Sequence, residues 1–224
     1  MVGRLAIRGL ALARLLQPVR YEDCPPLMDY QQAKRGTPTM GGLFLLLVGS
    51  IIAAASGGLS TRDGWLVLLA IVGLGGIGLV DDLLKFRRAN ALGLRSLPKL
   101  VVALAIGAVV GLSMADQSAS YGVLEIPWFH RTIDLGWGWI PFAMVVMAGC
   151  AHAVNLTDGM AGLAVGCVAL ALGALALWAA NDPRHRELVL WCVSLSGACV
   201  GFLWFNCFPA SVFLGDVGAL GLGG

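Results

Sequence analysis

WLVLLAIVGLGGIGLVDDLLKFRR, residues 65–88, sets sixteen apolar or glycine residues directly against two adjacent aspartates, Asp81 and Asp82, and then Lys85, Arg87 and Arg88. The apolar part approaches the roughly 20 residues with which a helix crosses the hydrocarbon core of a bilayer. Two carboxylates this close repel each other at a low-dielectric margin, so the pair is costly unless a cation or a proton offsets it. A divalent metal, or phosphate chemistry at a membrane surface, is the first expectation.

The rest of the chain repeats the apolar pattern. With 58% hydrophobic and 12% charged residues and a mean hydropathy of +0.82 over 224 residues, it is too apolar for a soluble domain. Apolar runs cover 40–55, 65–80, 98–114, 139–154, 163–180 and 188–205, and a seventh begins near Val212 and reaches the last residue, Gly224. These runs predict an all-α, polytopic transmembrane helical bundle of about six to seven spans. Residues 1–30 carry Arg4, Arg8, Arg14 and Arg20 without a clean apolar core. They read as a basic amphipathic segment on the membrane rather than a signal peptide, followed by a membrane core over 31–224.

Lys and Arg concentrate in the cytoplasmic loops of membrane proteins. Residues 1–37 hold six basic residues and 81–99 hold five, against Arg62, Arg131, Arg184 and Arg186 in the opposite loops. The N-terminus, the Asp81-Asp82 loop and the segments 155–162 and 206–216 are therefore predicted to face the cytoplasm. Four sequence-distant polar segments on one face can build one site. Cys150, Cys167, Cys192 and Cys199 lie in or beside apolar runs, and Cys24 and Cys207 fall on the predicted cytoplasmic side, where thiols stay reduced. The cysteines read as packing residues, and His130, His152 and His185 lack metal-ligand spacing.

Each polar segment has a plain reading beside a functional one. KRGTPTMGG, 34–42, can bring backbone amides and the charges of Lys34 and Arg35 to an anion at a helix N-terminus, or can be a capped helix start with interfacial basic residues. Asp81 and Lys85 can be an ordinary i,i+4 pair, which leaves the second aspartate unexplained. NLTDGMAG, 155–162, uses residues that any tight turn uses. In FLGDVG, 213–218, Asp216 can be a helix cap, or a third acid on the face of Asp81 and Asp82 that suits Mg²⁺.

GTPTMGG at 36–42, GLVDDLLK at 78–85, NLTDGMAGLA at 155–164, and GFLWFN with VFLGDVGALGLGG within 201–224 resemble, in order, the polyprenyl-phosphate sugar-1-phosphate transferase family. Within it they are most similar to the phospho-N-acetylmuramoyl-pentapeptide transferase branch of bacterial cell-wall synthesis. The resemblance implies a Mg²⁺-dependent transfer of phospho-N-acetylmuramoyl-pentapeptide from its UDP-linked donor to undecaprenyl phosphate, giving a lipid-linked sugar and UMP at the inner leaflet of the bacterial cytoplasmic membrane. It implies that Asp216 ligates Mg²⁺. Asp81 and Asp82 would stand beside the lipid phosphate, one of them as base or nucleophile. Lys34 and Thr39 would line the nucleotide site, and Asn155, Asp158, Asn206 and Phe213 would help hold metal, phosphates or uracil. Lys85 and Lys99 would balance phosphate charge. The resemblance also implies membrane-lipid partners and a homodimer, with no nucleic-acid partner.

Two departures accompany the likeness. The third motif of the family usually reads Asp-Gly-Leu-Asp-Gly, and Ala161 stands where its second acid belongs. The family also carries a later loop with clustered histidines, which this sequence does not reach, so the chain reads as a truncated core. Those departures favour a second reading, an inactive fragment or non-catalytic relative that binds lipid phosphate or nucleotide; a transferase for another UDP-N-acetylhexosamine is a third. A small transporter would place its acids in mid-span, whereas these acids gather at span ends.

Overall fold

The computed structural model describes residues 37–88, 93–115, 122–126 and 131–224. Lys34, Cys24, His130 and the basic segment 1–30 lie outside the described residues. Seven helices run in order among them: α1 (Gly41–Ala55), α2 (Arg62–Arg88), α3 (Ser96–Ala115), α4 (Trp139–Thr157), α5 (Leu163–Ala179), α6 (Arg186–Asn206) and α7 (Gly215–Gly223). A helix satisfies its backbone polar groups internally, which makes it one of the few forms an apolar chain can take in lipid. Leu170 and Leu177 are 78% and 76% exposed on α5, as suits side chains facing lipid rather than water.

Segments 62–87, 96–115, 136–157 and 183–206 are each long and apolar enough to cross a membrane, and α1 and α5 are shorter apolar helices. The chain is therefore a multi-pass membrane protein with an all-α bundle. One expectation needs correction, and one feature is additional to the sequence reading. The apolar run ending at Val80 does not end its helix: α2 continues to Arg88, so Asp81, Asp82 and Lys85 stand on a helix and not in a loop. The region between the third and fourth spans forms an antiparallel hairpin of β1 (Val123–Ile126) and β2 (Arg131–Asp134), with Val123 opposite Asp134 and Ile126 opposite Arg131.

The short helix α7 is wedged against α1, α2 and α4. Small residues make this possible, as expected where close backbone approach takes the place of a hydrophobic driving force. A Cβ on Gly42 of α1 would lie 2.3 Å from Gly218 Cα of α7, and one on Gly78 of α2 would lie 2.3 Å from the Asp216 carbonyl oxygen. One core cluster joins Leu45, Val165, Trp191, Cys199, Leu214 and Val217; a second joins Leu74, Ala103, Ala148, Ala151 and Leu220. At the end of α6 remote from Asn206, Trp191 Nε1 donates to the Gly58 carbonyl at 2.7 Å, and Thr61 donates its N–H to Glu187 Oε2 at 3.1 Å. The turn between α1 and α2 is thereby pinned to the start of α6.

Candidate active site

The acids converge where α2, the start of α3 and the start of α7 meet. Asp81 and Asp82 are almost wholly buried, at 0% and 7% exposure. Asp81 Oδ1 accepts the Leu94 N–H at 2.5 Å, and its Oδ2 pairs with Lys85 one helical turn on and with Lys99 Nζ of α3 at 3.0 Å. Asp82 Oδ2 accepts the Val217 N–H at 3.1 Å, which ties α2 to the first turn of α7. Asp216 pairs through Oδ1 with Lys85 Nζ at 3.0 Å and through Oδ2 with Lys99 Nζ at 2.7 Å. The i,i+4 pair of Asp81 and Lys85 exists, but it is one edge of a five-residue network. The helix-cap reading of Asp216 fails: α7 has Leu214 at its cap position with no side-chain cap bond, and the carboxylate goes to the two lysines.

Three carboxylates and two ammoniums leave one net negative charge in a site largely closed to water. One ligand oxygen from each of Asp81, Asp82 and Asp216 lies within 4.8 Å of the others. An all-oxygen carboxylate donor set matches a hard divalent cation. Asp81 Oδ2 is shut off from solvent and, although both ammoniums stand within ion-pair range, receives no well-directed hydrogen bond. The cluster is therefore fit to hold a metal ion. With a divalent ion added its net charge would become positive, which suits an anionic phosphate.

The approach of α7 to α2 depends on Gly215. Its φ is +78°, a left-handed conformation costly for residues with a Cβ, and a Cβ there would lie 2.8 Å from Asp82 Oδ2 and 3.2 Å from Thr39 Oγ1. Thr39 is thus placed beside the acids. The amides that begin α1 are not open to an anion as expected from sequence, because Gly41 N–H donates to the Phe213 carbonyl at 2.9 Å and Gly42 N–H to the Leu214 carbonyl at 2.8 Å. Phe213 N–H donates to the Pro38 carbonyl at 2.9 Å, so segment 38–42 is stitched along 213–214. Phe213 itself is 8% exposed.

Asn155 and Asp158 stand half-buried at the end of α4 and its turn. That turn reaches the rest through Asn206, whose Oδ1 accepts the Gly162 N–H at 3.0 Å and whose Nδ2 donates to the Val212 carbonyl at 2.9 Å. The structure thus unites Asp81, Asp82, Asp216, Lys85 and Lys99 directly, sets Thr39 beside them, and joins the segment of Asn155 and Asp158 through Asn206. In the sequence Gly78 and Met40 carry no role of their own, although both stand in the stretches that carry the resemblance, and Leu94 is not singled out. Met40, with φ 69°, is a left-handed residue other than glycine.

The glycosyl transferase family 4 description matches residues 64–224, which hold all three acids and both lysines. The chain belongs to glycosyl transferase family 4. Residues 34–46, with Thr39 among them, match phospho-N-acetylmuramoyl-pentapeptide-transferase signature 1. Relatives named phospho-N-acetylmuramoyl-pentapeptide-transferase include one from Thermodesulfovibrio yellowstonii, 38% identical over 97% of this chain and 64% of its own length. One from Geobacillus kaustophilus is 42% identical over 86% of this chain and 60% of its own length. One from Methylacidiphilum infernorum is 37% identical over 100% of this chain and 66% of its own length. This family 4 chain thus spans between 60% and 66% of the length of those three relatives.

Proposed function

We propose that this chain transfers phospho-N-acetylmuramoyl-pentapeptide from its UDP-linked donor to undecaprenyl phosphate, releasing UMP, at the cytoplasmic face of the bacterial inner membrane. The observation that carries the reading is the convergence of three buried carboxylates and two lysines at the membrane end of α2, in a chain that bears the transferase signature. In this reaction a lipid-phosphate oxygen forms a bond to the sugar-bearing phosphorus of the donor while that phosphorus parts from the phosphate oxygen of UMP. Such transfers need alignment and charge neutralisation more than covalent help.

The chain's own residues divide that work. Asp216, with Asp81 or Asp82, would hold Mg²⁺, which supplies neutralisation of the diphosphate oxygens when bound. Lys85 and Lys99, which pair with these carboxylates, would be the phosphate partners with the acids engaged by a metal ion. Asp81 or Asp82 then stands beside the lipid phosphate to take its remaining proton. Thr39, Asn155 and Asp158 are assigned to the nucleotide, Lys34 joins them by its place in the signature motif, and Phe213 is assigned to uracil as an aromatic that can stack on a base. The eleven basic residues of the 1–37 and 81–99 segments set this end toward the cytoplasm, and a homodimer is the proposed assembly.

The test is UMP release in detergent micelles from UDP-N-acetylmuramoyl-pentapeptide with undecaprenyl phosphate and Mg²⁺, beside Asp216→Ala. Turnover that needs the lipid, Mg²⁺ and Asp216 supports the transferase and shows that Ala161 is compatible with activity. No turnover from folded protein overturns it as the activity of this chain.

A further inference from the structure

We propose that Asn206 is a positioning residue that locks the turn after α4, which begins at Asp158 just past Asn155, to the segment carrying Phe213 and Asp216. It is the last residue of α6 and is 1% exposed. Both ends of its carboxamide are used inside the protein. Oδ1 faces the Gly162 N–H, which can only donate, and Nδ2 faces the Val212 carbonyl, which can only accept. Those partners fix which end is which. No other uncharged side chain of this size presents a donor and an acceptor on one rigid plane.

The surroundings make this contact the hinge of two loops. Gly162 caps α5 with φ 80°, and a Cβ there would lie 3.3 Å from Cys207 Sγ, so the turn after α4 lies directly against the residue that follows Asn206. On the other side, the Phe205 carbonyl accepts the Ser211 N–H at 2.8 Å and the Val212 N–H at 3.3 Å, folding 207–212 back over the end of α6. Phe213 and Asp216 follow within four residues of Val212. One buried amide thus links the turn after α4 to the segment that leads into α7. The functional half of this inference rests on the proposed nucleotide and metal sites; the tie itself does not.

The test combines hydrogen exchange with ligand binding on the whole chain in detergent. In Asn206→Ala, exchange should quicken at least tenfold both at Gly162 and at Ser211 and Val212. Asn206→Asp keeps the acceptor and loses the donor, so Gly162 should stay protected while Ser211 and Val212 quicken. UMP affinity of Asn206→Ala should fall at least tenfold, while Mn²⁺ affinity at the acids falls less, because Asp216 stays paired with Lys85 and Lys99 and α7 stays tied to Asp82 when the Asn206 contact is lost. Unchanged exchange in Asn206→Ala overturns the tie, as does equal loss at both loops in Asn206→Asp. Quickened exchange with unchanged UMP affinity overturns the positioning role. If the unmodified chain binds no UMP, the nucleotide site proposed above fails, and the exchange pattern still decides the tie.

Discussion

At the scale of single residues the site is a problem in charge. Asp81 is fully buried, and a buried carboxylate is tolerable only with partners that return what water supplied. Lys85 and Lys99 are those partners, and each bridges Asp81 to Asp216. Lys99→Met should therefore leave a site with one ammonium for three carboxylates. Breaking a buried ion pair by removing one member costs about 3–5 kcal/mol, and the remaining lysine should hold the loss near the lower figure. Because Mg²⁺ can replace the missing charge, Mg²⁺ should raise the melting temperature of Lys99→Met more than that of the unmodified chain. Equal shifts in a thermal melt would mean that the metal does not bind at these acids. Asp216→Asn keeps the shape of the side chain and removes its charge. Mn²⁺ binding by electron paramagnetic resonance should weaken at least about tenfold, and UMP release should drop on the order of 100-fold; undiminished Mn²⁺ binding would remove Asp216 from the ligand set.

At the scale of elements, what places the charges is the contact of α2 with α7. Gly76 and Gly78 occupy the same helix two residues apart, yet a Cβ on Gly76 would meet nothing within 4 Å while one on Gly78 would meet the Asp216 carbonyl oxygen at 2.3 Å. Alanine is favoured over glycine in a helix by about 1 kcal/mol. Gly76→Ala should thus be neutral or stabilising, and Gly78→Ala should be destabilising and should weaken Mn²⁺ binding by pushing Asp216 away from Asp81 and Asp82. Comparable melting and metal affinity in the two variants would refute the claim that this contact sets the site. The sequence makes the helices legible because apolar runs of this length have few alternatives, and it places four of the polar segments at span ends. It does not show that α2 runs on to Arg88, because the change from apolar to charged residues marks the edge of the membrane and not the end of the helix. Nor does it reveal the tight glycine contacts, since the glycines of α2 look alike until a neighbouring helix is set against them. It likewise does not decide between the cap and third-acid readings of Asp216, whose lysine partners lie on α2 and α3, more than a hundred residues away.

At the scale of the whole molecule, orientation and site are one question. The network of Asp81, Lys85, Lys99 and Asp216, the 38–42 and 213–214 stitch, and the Asn206 tie gather at one end of the bundle, while the Trp191 and Glu187 contacts hold the start of α6. Arg87 follows the paired acids on α2, and Arg184 precedes α6, where its guanidinium pairs with Asp182 at 2.6 Å and remains 87% exposed. These two positions lie on opposite sides of a membrane if the bundle spans it as proposed. Asp182 is the stronger acid for that pairing: hydrogen bonds from Arg184 pull its carboxyl down to about 2. In the unmodified chain the pair therefore persists across ordinary external pH and separates only as pH falls toward that value. In intact bacterial cells a membrane-impermeant maleimide should label Arg184→Cys and spare Arg87→Cys, with the unmodified chain as the blank for its own cysteines, and permeabilised cells should label both. The reverse pattern would put the acids outside the cytoplasm, away from a nucleotide-linked donor. It would defeat the transferase reading even if the metal site were intact, because a UDP-linked sugar must meet the carboxylates on the side where it is made.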